Sequence, residues 1–123
     1  MPKKVLGTPG PAPYSPGVVA GGFVFVAGQV GSNPKTGETP AGVESQTRNC
    51  LERIAAIVEQ AGTSMDKVVR VTVYLTDIND FSKMNAVYRT FFPTEPPVRA
   101  TIGVVALAGA AYVVEIDAIA LVE

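Results

Sequence analysis

No histidine occurs among the 123 residues of this chain, and Cys50 is its only thiol. These two shortages remove a Ser-His-Asp triad, a Cys-His pair, a His-ligated zinc site, a cysteine-rich metal site and any internal disulfide. Charge is sparse as well. Charged residues make up 17% of the chain, ten Lys and Arg against eleven Asp and Glu, for a net charge of -1. No basic run exceeds the Lys3-Lys4 pair, so binding of nucleic acid by phosphate neutralisation is not expected. No apolar run reaches transmembrane length. The opening "MPKKVLGTPGPAPY" has a charged start without the apolar region of a signal peptide. The expected location is the cytoplasm, with no membrane partner. An enzyme built from this chain works with carboxylates, Arg, Lys, Tyr, hydroxyls, backbone groups and water.

What the chain does hold is core material. Apolar residues are 47% of it, and its length fits a single domain over residues 1–123. A domain of this size buries roughly two-thirds of the surface of its unfolded chain. So little charge for so much apolar surface points to apolar area buried between subunits.

Periodicity gives the elements. The Pro- and Gly-dense stretch "GTPGPAPYSPG", residues 7–17, reads as an ordered irregular lead-in. Val18 to Ala20, Gly21-Gly22 and Phe23 to Val30 read as a hairpin with a two-residue turn. Thr39 to Ala61 reads as a helix, with Thr39 as N-cap, Pro40 at the first position and Gly62 as the stop; Val43, Thr47, Cys50, Leu51, Ile54 and Val58 form its apolar side. Lys67 to Asp77 alternates as a strand. A second helix is expected from about Asp80 to Phe92, capped by Asn79, with Phe81, Met84, Tyr88 and Phe91 as its stripe. Strands over Val98 to Ala106 and Tyr112 to Val122 close the chain around the turn "LAGAA". The order β-β-α-β-α-β-β implies an α+β sandwich, one β-sheet with both helices on one face. Self-association is the simplest cover for the other face.

Several residues could carry chemistry. Arg99, in "PPVRATIGVV", shares a strand face with Thr101 and Gly103, and its guanidinium is a fixed fork suited to a carboxylate. Its alternative is an ion pair with Glu115 or Asp117 on a neighbouring strand. Glu115 and Asp117 lie two apart, on one strand face, among apolar neighbours. Such carboxylates are held by partners, here Arg99 or Arg70, or have raised pKa values and handle water and protons. Tyr14 either reaches across a pocket or packs as a lid on the core. Gly28 in "AGQ" permits close backbone approach or marks a bulge. Asn85 on the second helix caps a strand end or faces a site. Cys50 reads as inert core, and Asn33 to Gly37 as a surface turn.

Four blocks, "PYSPGVVAGGFVFVAGQVGSNPKTGE", "YLTDINDFSKMNAVYRTFF", "PPVRATIGV" and "VVEIDAIA", resemble the RidA (YjgF) family of enamine/imine deaminases over nearly the whole chain. The resemblance implies a chorismate-mutase-like fold assembled as a homotrimer, with sites in clefts between subunits. It implies hydrolysis of 2-aminoacrylate, 2-iminopropanoate and 2-iminobutanoate to a 2-keto acid and ammonia, with no cofactor and no metal. Carried over by position, Arg99 clamps the substrate carboxylate, Glu115 holds the attacking water and Tyr14 closes the site. Gly28, Thr101 and Asn85 are the further substrate-binding positions. The chain departs from the family pattern at Ala27, where a serine is usual, at the longer "LAGAA" turn, and in the shorter segment between Phe92 and Arg99. Two other readings stand beside the deaminase: a trimer that binds small carboxylates without turnover, and a ribonuclease or translation inhibitor, which the missing histidine and basic stripe disfavour.

Overall fold

The computed structural model describes residues 2–7 and 10–122; Thr8 and Pro9 of the expected lead-in lie outside the described residues. One six-stranded mixed sheet carries two helices. In chain order the elements are β1 (Lys4–Leu6), β2 (Gly17–Ala20), β3 (Phe23–Val30), α1 (Val43–Gln60), β4 (Val68–Leu75), α2 (Phe81–Phe91), β5 (Val98–Gly103) and β6 (Val114–Leu121). The strands lie in the order β1-β2-β3-β6-β4-β5. All neighbours are antiparallel except β4 and β5, which run parallel across the α2 connection.

The α+β class, the two helices and five strands match the sequence reading. The hairpin turn forms at Gly21-Gly22, with φ of 59° and 84°, a conformation that favours glycine at both positions. Gly62, at φ 84°, ends α1 and donates to the Glu59 carbonyl at 3.0 Å.

Three local expectations are corrected. Residues 4–6 form a strand, β1, because Lys4, Val5 and Leu6 pair with Val19, Val18 and Gly17; three residues carry too little pattern to reveal it. Helix α1 starts at Val43, not at Thr39. Gly42 precedes it at φ 95°, and the Pro40 carbonyl is taken by Gln46 Nε2 at 2.9 Å rather than by the helix ladder. The cap before α2 is Asp77, whose side chain accepts from the Asn79 N–H at 3.0 Å and opens a short 3-10 turn, so Asn79 donates where it was expected to cap.

The core lies between the helices and one face of the sheet. Leu51, Ile54 and Val58 of α1 and Met84 and Tyr88 of α2 pack on Val24, Val71, Val73, Ile116 and their neighbours. On β6 the alternation is complete: Val114, Ile116, Ala118 and Ala120 are buried beneath the helices, while Glu115, Asp117, Ile119 and Leu121 face the other way. That outer face carries Phe25 and Ile102, each 44% exposed. Cys50 is buried core as expected, its thiol pushed up to about 12 mainly by burial.

Gln46 ties the loops at one end of this sandwich. Its side chain is fully buried. Nε2 donates to the Pro40 and Ala111 carbonyls, each at 2.9 Å, and Oε1 accepts from the Val113 N–H at 2.9 Å. Gly31 packs directly over it; a β-carbon there would sit 2.6 Å from Gln46 Cγ.

Candidate functional site

Strand pairing decides which candidates meet. In β5, Arg99 is paired with Val71 and Thr101 with Val73, so both face the helix side. In β6, Glu115 is paired with Tyr74 and Asp117 with Thr72, so both face the outer side. Strand β4 lies between β5 and β6. The alternative ion pair between Arg99 and Glu115 or Asp117 therefore does not form within the chain. Two strand spacings, about 10 Å, and the thickness of the sheet separate them.

Arg99 is held by α2 instead. Its Nη1 donates to Asn85 Oδ1 at 2.7 Å. The guanidinium carbon lies 4.5 Å from the centre of the Tyr88 ring and 5.4 Å from that of Phe81. Asn85 thus faces the arginine rather than capping a strand. Beside it opens a cleft of about 700 Å³ lined by Asn85, Tyr88, Arg89, Phe92, Arg99 and the prolines at 93, 96 and 97. Thr101 follows Arg99 on the same strand face. Phe81 and Tyr88 were expected as core stripe. Tyr88 is indeed buried, but Phe81 is 40% exposed and turns toward Arg99. The spacing 81, 85, 88, with an asparagine between two aromatics on one helix face, was the available signal.

The remaining candidates gather around the bulge in β3, where the register with β6 shifts between Val26 and Gln29. Gly28 sits in that bulge. A β-carbon on it would overlap the Glu115 carboxyl, 2.9 Å from Cδ, so glycine alone leaves room for Glu115 to lie over this backbone. Tyr14, 70% exposed, lines a second cleft of about 480 Å³ together with Gly28, Gln29 and Arg53. Tyr14 is no lid on the core.

Electrostatics distinguish the two carboxylates. Asp117 accepts from the Tyr74 hydroxyl at 3.0 Å. The Glu115 carboxyl is held above its ordinary value, first by burial and second by the charge of Asp117. Arg70, left open as a partner by the sequence, does not offset this rise. No group of three or more His, Cys, Asp or Glu placed to hold a metal ion occurs among the described residues. No described helix is long and apolar enough to cross a membrane.

One chain thus presents two half-sites: Arg99, Asn85 and Thr101 on the helix side of an edge strand, and Glu115, Gly28 and Tyr14 at the β3 bulge. The Arg99 guanidinium and the Glu115 carboxyl face away from each other, on opposite sides of the sheet.

Known proteins share this fold and sequence. The family model described as Endoribonuclease L-PSP matches residues 8–122. A RutC family protein of Pyrococcus horikoshii is 48% identical over 112 residues, 90% of this chain and 88% of that protein. An Escherichia coli protein named 2-iminobutanoate/2-iminopropanoate deaminase is 46% identical over 80 residues, 65% of this chain and 62% of its own length. The crystal structure of E. coli TdcF with bound serine superposes with a TM-score of 0.89 at 39% identity, covering 96% of this chain and 98% of that one. The fold is YjgF-like, and the chain belongs to the L-PSP family of RidA (YjgF) and RutC proteins.

Proposed function

We propose that this protein hydrolyses small 2-imino acids and their enamine tautomers to 2-keto acids and ammonia, in sites formed between the subunits of a homotrimer. The observation that carries the reading is the division of the site: Arg99 and Glu115 occupy opposite faces of one sheet. A substrate of three or four carbons touches both only if one copy supplies the arginine and another the glutamate. The outer sheet face, with Phe25 and Ile102 exposed, supplies apolar area for such an assembly. A relative named for imine deamination and another crystallised with serine, itself a small amino acid, support the substrate class.

In this scheme Arg99 pairs with the substrate carboxylate through two parallel N–H donors. The enamine first takes up a proton at C3 to become the iminium ion, the protonated imine. Glu115 then orients a water toward C2. The water oxygen bonds to C2 as the C=N π pair moves to nitrogen, and Glu115 takes the water proton. Glu115 returns that proton to the nitrogen of the tetrahedral carbinolamine, then takes the hydroxyl proton as C=O forms and the C–N bond breaks, releasing ammonia. Gly28 keeps the backbone close to the reacting centre, Tyr14 covers it, and Thr101 lies beside the carboxylate. Positioning supplies much of the rate, which suffices because an imine is already electrophilic.

A threonine dehydratase supplying 2-iminobutanoate, followed by 2-ketobutanoate formation, tests the proposal. Release faster than in buffer is expected with the wild type, and a rate equal to buffer rejects the deaminase. Charge coupling at Glu115 gives a second check. A carboxylate that holds water works deprotonated, so kcat/KM falls as pH drops through its raised pKa. Asp117→Asn removes the second cause of that rise, so the acid limb moves to lower pH while the burial contribution stays. An acid limb that does not move would separate Glu115 from the titration.

A further inference from the structure

Arginine 99 rests on a prepared surface. Phe81, Asn85 and Tyr88 lie four and three residues apart on α2, one above the other on the face turned to β5. Asn85 takes one Nη1 hydrogen at 2.7 Å, and the two rings flank the guanidinium at 4.5 and 5.4 Å. Tyr88 is 5% exposed, and among the described residues its hydroxyl has no hydrogen-bond partner. Burial raises the Tyr88 hydroxyl's pKa and the nearby Arg99 charge partly offsets this, but the two do not meet in hydrogen-bond geometry, so what Tyr88 chiefly offers Arg99 is the face of its ring.

We propose that Tyr88, assisted by Phe81, is a positioning residue that fixes the orientation of the Arg99 fork for bidentate capture of the substrate carboxylate. The inference rests on the deaminase reading and extends it to residues that touch no substrate. An arginine side chain has many rotamers, and each must be frozen before a planar pair of donors meets a carboxylate. The ring holds the plane and Asn85 holds one end. The four N–H donors that Asn85 leaves free include the Nε–Nη2 edge, which is matched to two carboxylate oxygens. A cation over a ring also retains favourable electrostatics when water is excluded, so the charge is stabilised without a carboxylate partner that would compete with substrate.

The test uses the full-length protein and calorimetric binding of 2-ketobutanoate, a stable carboxylate that needs no turnover. Tyr88→Leu keeps an apolar side chain but removes the ring; about 3- to 30-fold weaker binding is expected, with KM for the imine rising in parallel and kcat changing less. Tyr88→Phe keeps the ring and restores binding to within about twofold. Phe81→Leu, at a half-exposed position that leaves the core intact, weakens binding by about twofold. In an Arg99→Ala background, Tyr88→Leu adds no further loss, because the ring acts only through the arginine. Wild-type affinity in Tyr88→Leu, or equal losses in the Leu and Phe variants, overturns the proposal while leaving the deaminase reading in place. Binding of 2-ketobutanoate that ignores Arg99 overturns both.

Discussion

Replacing Arg99 with alanine lowers kcat/KM for 2-iminobutanoate by roughly 100- to 1,000-fold. In the proposed site, two charge-assisted hydrogen bonds to the carboxylate would vanish together, and the substrate would lose the anchor that aims C2 at the water. Arg99→Lys restores little, since an ammonium is a point charge that cannot reproduce the planar pair of donors or stack on the Tyr88 ring. The fold tolerates the change. Arg99 lies on the edge strand, and its side-chain hydrogen bond among the described residues is to half-buried Asn85, which water can replace. Dehydratase-coupled kinetics check this, with circular dichroism to confirm folding. A loss below about tenfold would remove Arg99 from the role of carboxylate clamp.

The largest stability effect is expected far from the chemistry, at Gln46. Gln46→Ala leaves the Val113 N–H and the Pro40 and Ala111 carbonyls without partners and opens a hole beneath Gly31. The cost is about 2–4 kcal/mol, combining unpaired polar groups with a cavity. Thermal unfolding at fixed protein concentration then drops by roughly 8–15 °C. Gln46→Glu does not rescue it, because the carboxylate lacks the two N–H donors and meets two carbonyl oxygens. A drop of less than about 3 °C would show that water fills the site and that the loops hold without it.

The sequence was legible where structure is local. Gly21-Gly22, Gly62 and the alternation of β6 each follow from a dozen residues or fewer, and each was found; in β4 the alternation holds from Val71 to Leu75 on the core side but a register shift near Val68 turns Val69 outward. It was not legible where the answer depends on which strand lies beside which. Arg99 and Glu115 each stood on the expected strand and among the expected neighbours. Their opposition comes from β4 lying between β5 and β6, and from a register that pairs Arg99 with buried Val71 and Glu115 with outward Tyr74. Nothing in the spacing of either strand contains that fact. The start of α1 was misplaced for a related reason. Thr39 and Pro40 are good helix openers, but a side chain from the next turn, Gln46, captures the Pro40 carbonyl for the loop. Asn85 and Tyr88 read as helix residues until the fold set them against Arg99. The family resemblance named six site positions, and the fold brings them into two groups of three.

The central claim, that two copies of the chain complete one site, is tested most directly by complementation. Arg99→Ala and Glu115→Ala chains carrying different affinity tags are co-expressed, and assemblies bearing both tags are isolated. Each variant alone is close to inactive. In randomly mixed trimers a site works only where a chain with intact Arg99 meets a neighbour with intact Glu115, which occurs at about a quarter of the interfaces. The account predicts recovery of about a quarter of wild-type activity in the unselected mixture, and more in the doubly tagged fraction. Mixed assemblies no more active than the single variants would place both residues' work within one chain and contradict it.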